Sequence, residues 1–473
     1  MKKTVNKTCC VILAWVMIIG LTANPALAIS VGKEKELATE FMETLRNFTA
    51  FVQDPIILGL VRQIGKRIVA QLPPQPFDFN FYVVDSPEFN AFAGPGANIF
   101  VNRGLITALD NIDELAGILG HEIAHAACRH VSQMMDRSKI VNYGTLIGLL
   151  AGIILGVGGS GELGQAVMVG SAAGGLTTML AYSRENEEEA DRTGIGYIVN
   201  ASFNPNGLLT GLEKIRNSDW YGMEKIPDYM KTHPGTTERI VYISSWIADH
   251  PEVLDAGRVP PIDPERFEIV KYRLAGMYGE EESTRKSLEQ RLLKGPDKPV
   301  LHYGIALVLE RQSRIPEAVE QLKIALSQKS FDPYLLLEIG RLYALSGEPG
   351  KALDILENLK AEGDVALTTL FYRGIARLDL GRQVKARSDF ESVIRKAPDA
   401  FPKVFYQMAR LEGEQGNSAL SHFYLGKYYA AVNDLDNAIV HFNRSLKNLA
   451  DPEKVTEAQA LLEKLKEKKE ERQ

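Results

Sequence analysis

The sequence predicts an α+β domain followed by an all-α repeat solenoid. Three observations predict it. Phe77, Phe79, Phe81 and Val83 alternate with Asp78, Asn80 and Tyr82, which marks a half-buried strand inside an otherwise helical first half. In the second half a small residue followed 12 positions later by alanine recurs at intervals of 34. Between the halves, Pro251, Pro260, Pro261 and Pro264 stand among charged residues and break regular structure. A chain of 473 residues also exceeds what one hydrophobic core organises. The expected divisions are 1–28, 29–250, a connection at 251–270, and 271–473.

Composition narrows the class. With 45% hydrophobic and 24% charged residues the chain is neither wholly disordered nor wholly membrane-embedded. A net charge of −6 and a pI near 5.9 exclude a dedicated nucleic-acid binder, which needs a dense basic footprint.

Residues 1–28 read as a secretory leader. Lys2, Lys3 and Lys7 precede an apolar run from Cys9 to Leu21, and Ala26-Leu27-Ala28 supplies the small residues of a cleavage site after Ala28. The apolar core is short for a membrane span, and no cysteine stands at the cleavage point to take a lipid. The expectation is an exported protein of a bacterial envelope, residing in the periplasm. Loss of the leader removes three lysines, moving the net charge from −6 to −9, and two cysteines, leaving only Cys128. No intrachain disulfide is then available, so packing or a metal must do that work.

The repeats are regular. Ala318, Ala352 and Ala386 are 34 apart, and Ala306, Gly340 and Gly374 precede them by 12. Gly426 and Ala438 keep the offset after an 18-residue insertion, around residues 401–417, that reads as one extra helix. Period and small-residue positions are those of tetratricopeptide repeats, whose paired helices approach closely. Residues 453–470 form a charged helix suited to capping the array.

The chemistry lies in His121-Glu122-Ile123-Ala124-His125, an H-E-x-x-H sequence on an apolar helix. Residues four apart are about 40° apart around a helix, so both imidazoles reach one metal; Glu122, about 100° round from His121, is free to take a proton from water. A helix so apolar would not leave two histidines and a glutamate uncompensated. A third ligand is required. Val131 stands where one related pattern has histidine, and His130, nine residues after His121, is expected on the opposite face in a structural role. Cys128 is expected to face packing. Glu187 and Asp191 share a face of a second helix, so one can complete a His₂Glu zinc set while the other orients a ligating histidine.

These motifs, with Asn90-Ala91-Phe92-Ala93-Gly94-Pro95-Gly96, Ile99-Phe100-Val101 and Gly104-Leu105 upstream, resemble the M48 family of zinc metallopeptidases over about residues 85–240. Leader and repeats together make the chain similar to the beta-barrel assembly-enhancing protease group. The resemblance implies a zincin-like α+β metallopeptidase domain with one Zn²⁺ per chain, held by His121, His125 and Glu187. It implies Glu122 as general base and Asp191 as the partner of a ligand, and prefers Glu187 over Glu185, Glu188 and Glu189. Asn90, Ala91, Phe92 and Ala93 would lie beside the cleft, where an extended substrate adds by strand pairing. His233, in His233-Pro234 before Glu238-Arg239-Ile240, also resembles a family feature. Three roles stay open for it: oxyanion stabiliser, zinc-bound latch, or loop histidine hydrogen-bonded to a carbonyl.

Residues 140–182 carry one charge, Glu162, and Gly144, Gly148, Gly152 and Gly156 recur every fourth position. The expectation is an apolar hairpin that lids the cleft or touches a membrane peripherally, ahead of one that inserts.

The leading functional expectation is an exported zinc endopeptidase cleaving unfolded, stalled or misassembled envelope proteins in outer-membrane quality control, with the repeats docking substrate or assembly machinery. A non-catalytic periplasmic chaperone or scaffold with a structural zinc is the alternative. A protease acting on prenylated proteins or membrane segments ranks third.

Overall fold

A computed structural model describes residues 29–137, 182–217, 228–254 and 262–470. The leader and, apart from Tyr182, the apolar hairpin lie outside the described residues. No described helix is long and apolar enough to cross a membrane.

The chain divides into two units, residues 1–51 with 64–261 and residues 52–63 with 262–473. In the first, helix α1 (Val31–Phe48) is capped by the Ser30 hydroxyl and turns Leu37, Phe41 and Leu45 inward. Helix α2 (Pro55–Val69) follows, its first residues gathered with the second unit. The alternation around Phe81 becomes strand β1 (Asn80–Val84), and the Asn90 to Val101 stretch becomes β2 (Ala91–Gly94) and β3 (Asn98–Asn102). Gly96 turns the chain between β2 and β3 at φ 69°, a left-handed conformation that glycine adopts without strain. Strand β3 runs parallel to β1 and antiparallel to β2, in the order β1-β3-β2. The register sets Phe92 opposite Phe100, with stacked rings 4.6 Å apart. Among the described residues β2 is therefore an edge strand.

Among the described residues seven further helices belong to this unit: α3 (Arg103–Ala108), α4 (Ile112–Ala127), α5 (His130–Arg137), α6 (Arg184–Asn200), α7 (Asn206–Asn217), α8 (Asp228–Thr232) and α9 (Thr236–Asp249). Helix α4 starts at Asn111, whose side chain accepts the Glu114 N–H at 3.0 Å. It is buried from Leu115 to His125, packing on β2, α6 and α7. Glycines permit this crowding. A methyl at Gly117 would sit 2.4 Å from the Leu208 nitrogen, and one at Gly194 would sit 3.0 Å from the Gly120 carbonyl oxygen. Helix α6 thereby lies backbone to backbone against the H-E-x-x-H helix.

The second unit holds α10 (Pro264–Tyr278), α11 (Glu281–Lys294), α12 (Pro299–Arg311), α13 (Ile315–Gln328), α14 (Pro333–Leu345), α15 (Pro349–Leu356), α16 (Gly363–Asp379), α17 (Gln383–Lys396), α18 (Lys403–Glu414), α19 (Ser418–Ala431), α20 (Leu435–Ser445) and α21 (Pro452–Glu470). Helix α10 begins inside the stretch expected as a connection, because Asp263 caps it and Pro264 opens it. Ala318, Ala352, Ala386 and Ala438 are fully buried. A methyl on Gly340, Gly374 or Gly426 would meet Leu356, Phe390 or Phe442 at 2.4, 2.5 or 2.7 Å, the close approach the repeat pattern requires. Helix α18 fills the insertion.

Residues 52–63 join this unit through charge. Asp54 caps α2 by accepting the Ile56 and Ile57 N–H groups, and its other oxygen accepts from Arg273 at 2.9 Å. Arg273 also donates to Glu338 and to the Tyr303 hydroxyl, each at 2.7 Å, and Glu338 accepts from Arg341 at 2.5 Å. All of these groups are buried.

Two stability predictions follow from packing and charge. Arg273→Ala, which removes the cation shared by buried Asp54 and Glu338, should cost about 3–5 kcal/mol. Gly117→Ala, which forces α4 from α7, should cost about 1–3 kcal/mol. Urea unfolding followed by circular dichroism reads both, and an unchanged midpoint in either would contradict the corresponding contact.

Candidate metal centre

Helix α4 brings His121 and His125 side by side, their Nε2 atoms 3.0 Å apart. Helix α6 supplies Glu187. Ser183 caps α6 reciprocally with Asn186, which places Glu187 and Asp191 on the buried face while Glu185 and Glu188 stay exposed. Glu187 lies 3.4 Å from Nε2 of each histidine. His233, on the loop between α8 and α9, approaches with Nδ1, 3.3 Å from His121 Nε2 and 3.0 Å from Glu187. These four buried side chains form one potential metal-binding group.

The donor set fits zinc. Tetrahedral coordination with bonds of about 2.0–2.1 Å separates donors by about 3.3 Å, and these donors stand 3.0–3.4 Å apart. Glu122 adds an independent sign. Both of its carboxylate oxygens are buried without a hydrogen-bond partner, as is His233 Nε2, which faces one of them at 3.6 Å. Burial pushes Glu122 up from the usual carboxylate range, the direction a general base needs.

Around the donors lies a shell of partners. Asp191 accepts from His121 Nδ1 at 2.8 Å, a contact of the kind that orients a ligating ring. Arg239, fully buried in α9, donates twice to Asp191 at 2.7 Å and pairs with Glu187 at 2.6 Å. Burial alone would raise Glu187, but Arg239, with His233 and His125 behind it, holds that carboxyl well below its ordinary range. Asp191 is likewise kept low by Arg239 and His121 against its burial. Tyr242 donates to Asp191 as well.

The two adjacent imidazoles differ. Burial and Arg239 press His121 down, but Asp191 and Glu187 outweigh them and lift it to about 9. Burial and the His121 charge hold His125 neutral. Tyr182 stacks on His125 at 3.9 Å, Tyr229 stacks on His233 at 4.3 Å, and the Tyr182 N–H donates to the Thr232 carbonyl at 3.2 Å.

His130 departs from expectation. It does not point from the opposite face: its Nδ1 is 2.9 Å from His125 Nδ1, and its Nε2 is 3.1 Å from Glu189. The helical wheel fails because α4 ends at Ala127 and Arg129 adopts φ 57°. Arg129 is held there by Glu34 at 2.7 Å and by the Ile29 carbonyl at 2.5 Å. Cys128, expected to face packing, is half-buried and lies beside Glu189 and His130. Burial and Glu189 push its thiol up to about 11.

Asn90, Ala91, Phe92 and Ala93 are buried, and the strand they enter packs on α4. Sequence reasoning missed Arg239, Tyr182 and Tyr229. Arg239 was signalled only by its place after His233.

Two histidines and a glutamate thus converge, with His233, beside a second glutamate whose buried oxygens have no hydrogen-bond partner, an arrangement suited to holding zinc. The comparisons place it further. Residues 59–247 match the model of Peptidase family M48, a family of zinc-dependent metallopeptidases, and residues 368–400 match a tetratricopeptide repeat. A match to the M48 model is thus followed along the chain by a match to a repeat. It is 29% identical over 317 residues to the beta-barrel assembly-enhancing protease of Yersinia pestis and 28% over 334 residues to that of Escherichia coli K12. These alignments cover 66% and 69% of this chain but 63% and 64% of those proteins, so the chain spans less than two thirds of their length. The mitochondrial metalloendopeptidase OMA1 of Schizosaccharomyces pombe is 30% identical over 40% of this chain and 52% of its own.

Metal uptake should release protons. Below about 9 the metal-free protein carries on His121 a proton that the ion must displace, so apparent zinc affinity should fall about tenfold per unit as pH drops from there. Calorimetric titration in buffers of different ionisation heat measures the released proton; a pH-independent affinity would contradict it.

Proposed function

We propose that this chain is an exported zinc endopeptidase acting on unfolded or stalled envelope proteins, with one Zn²⁺ held by His121, His125 and Glu187. The observation that carries the reading is Glu122: a carboxylate buried without hydrogen-bond partners, on the same helix as the two imidazoles. A structural zinc gives such a group no task, so the scaffold alternative leaves it unexplained.

Bound zinc supplies Lewis acidity, polarising the scissile carbonyl and acidifying a water. Glu122 takes that water's proton as oxygen bonds to the carbonyl carbon, then delivers it to the leaving nitrogen as the C–N bond breaks. Asp191 and Arg239 fix the His121 ring and keep Glu187 ionised throughout. Strand β2, at the sheet edge beside α4, is the element on which an extended substrate would add by strand pairing.

His233 reads best as the latch. Its Nδ1 completes a closed set of four donors, whereas catalytic sites keep one position open. Turnover then requires that His233 withdraw, after which its ring is available to the oxyanion.

The repeats suit docking of protein segments, and the names of the bacterial relatives favour substrates or machinery of beta-barrel assembly. Residues 1–28 support export to the periplasm, and residues 140–182 support peripheral membrane contact.

Glu122→Gln should abolish casein cleavage, losing about 100-fold or more in turnover, while zinc measured by atomic absorption stays at one equivalent. Cleavage at the wild-type rate would refute the mechanism. His233→Ala should raise the basal rate with zinc retained, and a collapse of turnover would instead assign His233 to the oxyanion.

A further inference from the structure

Beside the first donor set stands a second. A sulfur of Cys128, a ring nitrogen of His130 and an oxygen of Glu189 lie within 4.8 Å of one another. His130 is fully buried, Cys128 is half-buried, and the Glu189 side chain is 58% exposed, giving a cation an approach from solvent. Thiol, imidazole and carboxylate together suit borderline or soft divalent cations such as zinc, cobalt(II) or cadmium rather than magnesium or calcium. The peptidase chemistry has no use for Cys128.

We propose that Cys128, His130 and Glu189 form a second, weaker divalent-cation site whose occupation opposes retention of the ion held by His125. The antagonism rests on the assignment of His125 to the first ion and follows from counting protons on two rings.

A neutral imidazole carries one N–H. With its Nε2 on the first ion, His125 carries that hydrogen on Nδ1 and donates it across 2.9 Å to His130 Nδ1. His130 then bears its own hydrogen on Nε2, where Glu189 accepts at 3.1 Å. The chain His125, His130, Glu189 is thus polarised in one direction while the first ion is bound.

A cation at the second site takes His130 Nε2, the nitrogen beside Glu189. The remaining hydrogen of His130 must move to Nδ1, which places two N–H groups head to head at 2.9 Å with no acceptor between them. Short of losing its second proton, His130 must turn away, and His125 loses the partner that fixes its ring. Removing such a partner from a metal ligand weakens metal affinity by about 10–100-fold. Local geometry makes the two sites neighbours: Arg129 reverses the chain so that one histidine ring serves both.

Cobalt(II) tests this, because a thiolate bound to cobalt absorbs in the near ultraviolet and the N/O donors of the first site do not. Full-length protein is stripped with chelator, reloaded with one equivalent of zinc and titrated with cobalt(II), with a chromophoric chelator reporting released zinc. The thiolate band should appear after the first equivalent is bound, and zinc should be retained about 10–100-fold less tightly as it grows. Cys128→Ser should abolish the band and the accelerated release while still taking up one zinc. No band in either stripped or loaded wild-type protein would overturn the second site. A full band with unchanged zinc retention would overturn the antagonism. Failure of the first-site assignment shows separately, as stripped Cys128→Ser protein that takes up no zinc; this overturns the antagonism and leaves the thiolate band to decide the second site.

Discussion

One buried guanidinium makes the centre tenable. Glu187 and Asp191 are enclosed in protein, where an ionised carboxylate is costly, yet one must be charged to bind a cation and the other to hold a ligand. Arg239 touches both, and its planar fork gives Asp191 two parallel bonds while a third nitrogen faces Glu187. A lysine in its place would present a single point of charge to one of them. Because Asp191 in turn grips His121, the arginine on α9 sets the charge on α6 and the ring orientation on α4 together.

Backbone proximity is the second condition. Side chains of modest reach converge only because α4 and α6 meet at glycine, with Gly120 and Gly194 in near contact one position from His121 and three from Asp191. The same device builds the second unit, where Gly340, Gly374 and Gly426 admit a bulky side chain from the paired helix. In one place small residues position chemistry and in the other they only set a spacing. The sequence pattern looks alike in both.

That similarity bears on what was legible. Periodicity exposed the repeats and the extra helix α18, since those depend on neighbours close in sequence. The H-E-x-x-H spacing exposed His121, Glu122 and His125 for the same reason, and a four-residue interval paired Glu187 with Asp191. His130 was misplaced because a helical wheel assumes a continuing helix, and the turn at Arg129 is stabilised by Glu34 and Ile29, roughly a hundred positions away. Arg239, Tyr182 and Tyr229 escaped because a lone arginine or tyrosine has no spacing to recognise. Residues 52–63 reach the second unit through Arg273, another pairing across about two hundred positions that no local pattern announces.

The bond from the Tyr182 N–H to the Thr232 carbonyl ties two things that flank the centre, the ring stacked on His125 and the loop bearing His233. Tyr182 and the end of the helix that precedes His233 are thereby coupled through one amide contact. A neutral hydrogen bond of this kind contributes only about 0.5–1.5 kcal/mol, which biases a two-state ratio by a factor of a few to about ten. The spacing of the two aromatic neighbours of the centre is thus biased by one modest bond rather than fixed by it.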